Sequence, residues 1–536
     1  MAALRAVLSL AVVTLLAAPA PAQELLSDAK LGIKLKAPDG YTRVPLKPDE
    51  EWIAARWISP RSYYQNDKSG FSIDHKPELT VISFPSDKVK QRVEEQKSGT
   101  GEQSRTITII KNPFKDYRDY LKRTYNEGGV FIAKEDKATV DGVQVETLEI
   151  KVEKMAMGGP RKIVTWIFKC DDADFAVQFE VVENAWAKLK GDVLTAMRSF
   201  RRIDKEGKGA SDRPDNVEDR FADMDDLSPA QRAARRREIE AKSQEKVTKS
   251  LTEGWTAKKY GRVFVVSDVD EKFTARVAEA ANAVLDYMDS NFGYVGPGEY
   301  VRAPTVRICK DYDEYHVYWK GSSFWSFDRE LVTYRSTSGG LQRTTDNVCS
   351  GCCEHWFSEH DRDLYQTMPQ WLRAGLRACF EMSRVKSGKL DFFNDSWERV
   401  GLSEQVRSGK LAKVQDLVKM DPEVFWSERN RTDECAAIAR FLLTGPKKAK
   451  DALHAYLGAV STIARRDEEE AKKKKPVVEG KKPKSLEEED ARFKEQNTKM
   501  RDGEKKHLEE VYEAAFGTWT DADWKSFQSS YEKSIG

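Results

Sequence analysis

The sequence has little excess charge of either sign, few cysteines, and no long apolar run beyond its first residues. Its 89 basic and 88 acidic residues give a formal net charge of +1, whereas nucleic-acid binding needs a patch of one sign. No apolar stretch after residue 22 reaches the roughly 20 residues of a membrane-spanning helix. The seven cysteines among 536 residues are an odd number, so at least one thiol lacks a disulfide partner. We therefore expect no nucleic-acid partner and no transmembrane segment.

Residues 1–22 show the three-part pattern of a cleavable signal peptide. Arg5 supplies the basic start, an apolar run follows from Ala6 to Ala18, and Ala20-Pro21-Ala22 matches a small-residue cleavage site. The run is too short for a membrane span, although an uncleaved anchor is the alternative. We therefore expect an exported protein, located in the periplasm or outside the cell.

The length of the chain exceeds what one hydrophobic core supports, so two or three domains are expected. Residues 26–203 alternate between apolar and polar side chains in several short segments, as half-buried strands do. A helix follows, with Trp186, Leu189, Val193 and Met197 at helical spacing. The pattern predicts a two-layer α/β sandwich with an antiparallel sheet, whose strands include Ile33–Ala37, Thr80–Phe84, Val143–Val152, Ile163–Cys170 and Phe175–Val181.

This order of elements resembles the PsbP-like fold. The resemblance is carried by the opening segment 32–41 (Gly-Ile-Lys-Leu-Lys-Ala-Pro-Asp-Gly-Tyr), the late meander, and the closing helix that ends in Ser199-Phe200. The functions of that family vary, so the resemblance implies a fold and no particular activity.

The remainder of the chain divides by composition. Residues 204–254 are charge-dense, and Ser228 and Pro229 predict the N-cap and first residue of a solvated linker helix ending near Lys249. Residues 255–465 and 508–536 predict a second domain, a small sheet followed mainly by helices. Residues 466–507 form a charged, low-complexity insertion that cannot bury a core of its own. The whole chain is therefore predicted to be α+β.

A segment of the second domain resembles the bacterial peptidase MA-like (gluzincin) family of zinc peptidases. Residues 369–381 read Pro-Gln-Trp-Leu-Arg-Ala-Gly-Leu-Arg-Ala-Cys-Phe-Glu, where the family has Pro-x-Trp-Leu-x-Glu-Gly-Leu-Ala-x-Tyr-Phe-Glu. Upstream, residues 348–357 correspond to the helix that carries H-E-x-x-H in active members. There two histidines and a later glutamate hold zinc, and the glutamate beside the first histidine is the general base. The resemblance covers about Trp255 to Tyr531.

The metal-ligand positions of that motif are degenerate. The resemblance places Glu354 at the catalytic position and puts Cys353, Phe357 and Ala374 at the three ligand positions. Phenylalanine and alanine have no lone pair to donate, whereas a catalytic zinc takes three protein ligands and a water. We therefore expect no cofactor and a vestigial Glu354 paired with Arg373 or Arg377. The predicted protein is a non-catalytic pseudoenzyme whose cleft binds a peptide, a glycan or a protein partner.

Two other functions stay open on the sequence. One is an active zinc-dependent hydrolase with unusual ligands, for which His355 and Glu359 lie four residues apart. The other uses the cysteine cluster in one of two ways. Cys349 and Cys352 form a C-x-x-C, a redox pair if it lies at a helix N-terminus, where a thiol pKa falls. Alternatively, Cys349, Cys352, Cys353 and His355 form a soft-metal site. Buried small residues, or a disulfide to Cys379, are the structural alternative for these cysteines.

A run of aromatic residues from Tyr315 to Phe327 has two interpretations as well. Exposed rings stack on sugars or peptides, whereas buried rings pack beneath a loop. The sequence names no substrate, no specific partner and no oligomeric state.

Overall fold

The structure is a computed structural model of the chain. It describes all residues except 1–24, 48–49, 51, 67–71, 86–92, 97–104, 109–113, 126–128, 154–158, 205–226, 296–299, 319–329, 338–339, 393–395, 421–430, 474–504 and 536. The predicted signal peptide, most of the charged insertion and the aromatic residues from Trp319 to Phe327 therefore lie outside the described residues. The described residues before 205 form one compact unit, apart from Lys47, and those after 226 form another.

The first unit is built mainly of antiparallel strands. Its strands are β1 Leu25–Asp28, β2 Ile33–Lys36, β3 Thr42–Arg43, β4 Ile53–Ile58, β5 Tyr63–Asn66, β6 Ser72–His75, β7 Glu78–Pro85, β8 Val93–Gln96, β9 Arg105–Thr108, β10 Val130–Val140, β11 Val143–Val152, β12 Arg161–Lys169, β13 Ala173–Val181 and β14 Arg201–Arg202, and its helices are α1 Tyr117–Thr124 and α2 Trp186–Arg198.

The largest sheet of this unit has seven antiparallel strands in the order β10-β11-β12-β13-β7-β4-β3. A smaller sheet has the order β1-β2-β14, and β5-β6 and β8-β9 are two-stranded antiparallel pairs.

The predicted strands and the closing helix of this unit are confirmed, but the prediction of two layers is wrong. One face of the large sheet packs under α2 through residues such as Phe168, Phe179 and Met197. The opposite face packs under α1, where Tyr117 and Leu121 meet Ile163 and other buried residues. Because successive strand residues point to opposite faces, the nearly continuous burial of β7, β12 and β13 shows a sheet covered on both sides. The unit has three layers.

The second unit contains a four-stranded sheet and many helices. The elements of the unit are α3 Pro229–Lys249, β15 Thr256–Tyr260, β16 Val263–Ser267, α4 Glu271–Phe292, β17 Thr305–Cys309, α5 Tyr312–Tyr318, β18 Glu330–Tyr334, α6 Gly340–His360, α7 Arg362–Thr367, α8 Gln370–Glu381, the hairpin β19 Ser383–Lys386 and β20 Lys389–Phe392, α9 Ser396–Arg407, α10 Val414–Leu417, α11 Arg431–Thr444, α12 Lys447–Lys473, α13 at 505–516 and α14 Asp521–Ile535. The sheet has the order β15-β16-β17-β18, in which β15 is antiparallel to β16 and the other pairs are parallel.

Local signals in the sequence account for several of these elements. Ser228 caps α3 in a reciprocal capping box with Gln231, and Pro229 is at its first position. Helix α3 is predicted to be solvated, but part of it packs against the second unit. The Tyr300 hydroxyl donates to Glu240 of α3 at 2.7 Å, and Val247 of α3 is buried. Among the described residues, no helix combines the length and the apolarity needed to cross a membrane.

The core of the second unit positions the helices that carry the peptidase-like motif. The apolar face of α4, which includes Val277, Ala281, Val284 and Met288, is buried, and α4 packs against α6. Helix α6 packs in turn against α8, which lies against α11. The two motif segments are therefore neighbouring helices inside one hydrophobic core.

Candidate functional site at helices α6 to α8

Two of the three positions that the predicted resemblance assigns to metal ligands lie in the core of the second unit. The side chains of Cys353 and Phe357 are on α6, and these residues are 1% and 2% exposed. The ring of Phe357 packs edge-on against Phe292 of α4, with 5.4 Å between the ring centroids. The neighbouring Trp356 donates from Nε1 to Asp289 of α4 at 2.7 Å. These contacts hold the face of α6 that carries Phe357 against α4, where it forms apolar packing.

The residues at the motif positions do not fit zinc. Ala374, the third ligand position, is half-buried on α8 and has no donor atom. Cys353 is the one position that retains a metal-binding atom type, and burial raises the pKa of its thiol well above the usual range. Among the described residues, no group of three or more His, Cys, Asp or Glu side chains is placed to hold a metal ion.

Glu354 lies at the boundary between the core and the surface. Its side chain is half-buried on α6, and this burial raises the pKa of its carboxyl group above the usual value. The guanidinium groups of Arg377 and Arg373 on α8 oppose that rise, and Glu381 adds to it. Arg373 and Arg377 therefore act on Glu354 electrostatically, and the predicted pairing of Glu354 with one of them stays a prediction.

A third helix adds a phenol to this group. Tyr365 on α7 is half-buried, and its electrostatic neighbours include Glu354, Arg373 and Arg377. The guanidinium carbon of Arg373 lies 5.9 Å from the centroid of the Tyr365 ring, within the range of a cation–π contact. The structure thus brings Tyr365 of α7 into contact with Arg373 of α8, and Glu354 and Arg377 are electrostatic neighbours of the same ring. Tyr365 was not predicted, because α7 has no sequence periodicity that relates it to α6 and α8.

The alternative metal ligands on α6 have other contacts. The Nε2 of His355 donates to the carbonyl oxygen of Arg302 at 2.6 Å, and the Arg302 guanidinium pairs with Glu359 at 3.4 Å. His360 donates from Nε2 to the carbonyl oxygen of Val295. All three α6 side chains are buried. Together they hold the segment before β17 against α6, which gives His355 and Glu359 a structural role.

The cysteine cluster does not have the properties predicted for a redox pair. Helix α6 begins at Gly340, nine residues before Cys349, so the C-x-x-C lies inside the helix and not at its N-terminus. Burial raises the pKa of the Cys349 thiol to about 12 and that of Cys352 well above its usual range. None of the seven cysteines, all of which lie among the described residues, forms a disulfide, so the predicted alternative of a disulfide to Cys379 is wrong. The predicted lowering of thiol pKa values is wrong because burial disfavours the thiolate.

The thiols of the cluster and its histidine have different surroundings. Cys349, Cys352 and Cys353 belong to the hydrophobic core of the second unit, whereas Nε2 of His355 donates to the carbonyl oxygen of Arg302. On a helix, Cys353 and Cys349 differ from His355 by about 160° and 120° in direction, whereas Cys352 differs from it by about 60°. The cluster therefore matches the alternative of buried small residues.

A second polar cluster, in the first unit, was missed at the sequence level. The buried Arg56 of β4 pairs with Glu50 at 2.9 Å and with Glu78 of β7 at 3.3 Å. On the adjacent strand β13, Glu180 accepts from the Tyr125 hydroxyl at 2.7 Å, and Glu180 lies directly opposite Glu78. The polar residues at alternate positions of β7 were the sequence feature that could have predicted this cluster. The network is closely paired and stabilises the sheet under α1.

Comparison with known proteins gives matches to solved structures only. No family model and no curated protein matches the chain. The chain is similar to cyanobacterial PsbP from Synechocystis, at 15% identity and a TM-score of 0.22, over 34% of this chain and 92% of that one. It is also similar to the Ran-binding protein Mog1p from Saccharomyces cerevisiae, at 11% identity and a TM-score of 0.21, over 34% and 96%. At these scores the matches carry no argument about activity, and the peptidase resemblance stays a prediction.

Proposed function

We propose that this chain is an exported, non-catalytic peptidase-like protein whose second unit binds a peptide without hydrolysing it. The observation that carries the proposal is the position of Phe357. The residue stands where the motif of active relatives has a metal-binding histidine, and its ring is packed against Phe292 in the core.

The packing energy explains why this position does not serve a metal. Burial of a phenylalanine side chain contributes about 1.5–3 kcal/mol to folding. A donor group at the same place would be buried among Phe292 and Trp356, and an unpaired polar group there costs about 1–3 kcal/mol. The ligand positions on α6 thus contribute to stability instead of metal binding.

The motif positions beside Glu354 do not supply the ligands of a zinc-bound water, from which a catalytic base would take a proton. A general base accelerates hydrolysis only when it takes a proton from an activated nucleophile. The electrostatic neighbours of Glu354 are instead two arginines and a tyrosine, which supports a binding role. The raised thiol pKa values at Cys349 and Cys352 argue against a redox function as well.

Metal analysis of the purified full chain tests the proposal. We expect far less than one zinc per chain after dialysis against zinc-containing buffer, because Phe357 and Ala374 supply no donor. We also expect no peptide hydrolysis that disappears in Glu354→Gln. Stoichiometric zinc that is lost in Cys353→Ser or His355→Asn would contradict the proposal and favour the hydrolase with unusual ligands.

A further inference from the structure

We propose that Glu314, Lys310 and Asp268 form a pH-sensitive switch that controls how readily helix α5 opens from the four-stranded sheet of the second unit. The three residues are called the Lys310 cluster below. Asp268 directly follows β16, Lys310 directly follows β17, and Glu314 is on α5. Because β16 and β17 are parallel, their carboxyl ends lie at the same edge of the sheet, and the cluster forms at that edge.

Helix α5 is on the face of the sheet opposite to α4. Val306 and Ile308 of β17 belong to the core around α4 and α6, whereas Arg307 between them donates to the hydroxyl of Tyr318 of α5 at 3.5 Å. Because successive strand residues point to opposite faces of a sheet, α5 packs on the other face. The switch is therefore separate from the proposed function, which concerns α6 to α8.

The contacts of the Lys310 cluster leave two carboxyl groups to share one ammonium group. The Nζ of Lys310 lies 3.3 Å from Oδ2 of Asp268 and 3.3 Å from Oε1 of Glu314. The backbone N–H of Lys310 donates to Oε2 of Glu314 at 2.8 Å. The side chain of Glu314 is 1% exposed. When both carboxyl groups are ionised, one positive charge therefore faces two negative charges, and the charge on Glu314 is buried, which costs free energy.

Protonation of Glu314 relieves this cost near neutral pH. Burial raises the pKa of Glu314 from its usual 4.5 to about 7, Asp268 adds to the rise, and Lys310 opposes it. Opening of α5 exposes the carboxyl group to water and returns its pKa toward the usual value. The packed state of α5 is therefore favoured fully below about pH 4.5, and this contribution is lost as the pH rises to about 7. Opening becomes easier as the pH increases.

Other titratable or charged groups lie around Glu314 on the neighbouring elements. They are Asp311 before α5, Cys309 and Arg307 of β17, and Glu330 of β18. Burial keeps the Cys309 thiol protonated by raising its pKa well above the usual range, and Arg307 and Glu330 pair with each other at 2.8 Å. His316 of α5 has a usual pKa of about 6.5, in the same range as Glu314, so the experiment has to separate these two residues.

Hydrogen–deuterium exchange of the full chain, followed by mass spectrometry, tests the switch. Protection of the α5 amides is measured at pH 5 and pH 8 and corrected for the intrinsic exchange rate. We expect protection in the parent chain to fall by about tenfold or more, since one unit of pKa corresponds to a factor of ten. Glu314→Gln, which cannot ionise, should abolish the fall. Asp268→Asn should reduce it, because Glu314 then has the Lys310 ammonium group to itself.

The matched control is Glu279→Gln, the same substitution at a carboxyl group of α4 that pairs with Arg276 and is 35% exposed. It should leave the fall in α5 protection as large as in the parent chain. Equal protection at pH 5 and pH 8 in the parent chain, or a fall that Asp268→Asn leaves unchanged, would overturn the switch. A full fall that persists in Glu314→Gln would also overturn it and assign the pH dependence to another group, such as His316.

Discussion

Asp346 of α6 shows how burial changes the chemistry of a single side chain. Its carboxyl group is half-buried and accepts a hydrogen bond from Gln342. Burial raises the pKa of Asp346 to about 6, although Gln342 and two arginines act in the opposite direction. The ionised form is therefore less favourable in the folded chain than in the unfolded chain.

The pKa of Asp346 predicts a pH-dependent effect of its replacement. Below about pH 4 this carboxyl group is protonated in both the folded and the unfolded chain. As the pH rises from about 4 to about 6, the group ionises more readily in the unfolded chain, so the free energy of unfolding falls. Asp346→Asn should therefore raise the melting temperature at pH 8 and not at pH 4. After allowance for solvent around a half-buried group, the gain is about 1 kcal/mol, or about 2–4 °C.

Thermal melts of the variant and the parent chain at both pH values measure this effect. The matched control is Asp286→Asn on α4, the same substitution at a side chain that is 72% exposed, and it should change the melting temperature at pH 8 by less than Asp346→Asn does. A larger gain for Asp346→Asn at pH 4 than at pH 8 would show that the sign is wrong.

At the scale of the elements, the contact between α8 and α11 depends on the absence of a Cβ atom at Gly375. A Cβ atom at Gly375 would lie 2.3 Å from the carbonyl oxygen of Cys435 and 3.2 Å from the Cβ of Ala439. The two helices approach this closely because glycine has no Cβ. Gly375 is also one of the residues that carry the peptidase-like motif, so this part of the motif is explained by packing.

Gly375→Ala should destabilise the second unit. The added methyl group meets backbone atoms that cannot rotate away, and overpacking of this kind costs about 1–3 kcal/mol. Urea denaturation followed by circular dichroism measures the loss. Gly458→Ala is the matched control, since Gly458 is on α12 with no atom within 4 Å of the added Cβ. It should stabilise by about 0.5–1 kcal/mol, and a stable Gly375→Ala would refute the packing argument.

At the scale of the molecule, each unit has hydrophobic clusters of its own. The buried residues under α1 and α2 belong to the first unit, and the large cluster around α4, α6 and α8 belongs to the second. A chain with separate cores is expected to unfold in more than one step. A substitution that destabilises one unit should therefore lower the unfolding temperature of that unit and not of the other.

Arg56→Met tests the independence of the two units by differential scanning calorimetry. The substitution leaves Glu50 and Glu78 without their buried cation, which costs about 3–5 kcal/mol. We expect two transitions in the parent chain, of which Arg56→Met lowers one and Gly375→Ala lowers the other. A single transition that both variants lower equally would show that the units unfold together.

Periodicity was sufficient to predict most strands and long helices, because side-chain burial follows the chain locally. The strand Val143–Val152 has the predicted bounds, and the predicted strand Ile163–Cys170 lies within two residues of the observed Arg161–Lys169. The helical layer that α1 forms on the second face of the large sheet was not predicted, since α1 carries only Tyr117, Tyr120 and Leu121 as buried residues. So short an apolar pattern has little helical signal.

By itself, the sequence determined that Phe357 and Ala374 supply no donor atom to a metal, because these side chains lack one in any fold. It also determined the α+β class. Only the tertiary structure decided that the C-x-x-C is buried within α6 and that His355 and Glu359 hold Arg302. The physical reason is that burial and the direction of a side chain depend on contacts between elements that are distant in sequence.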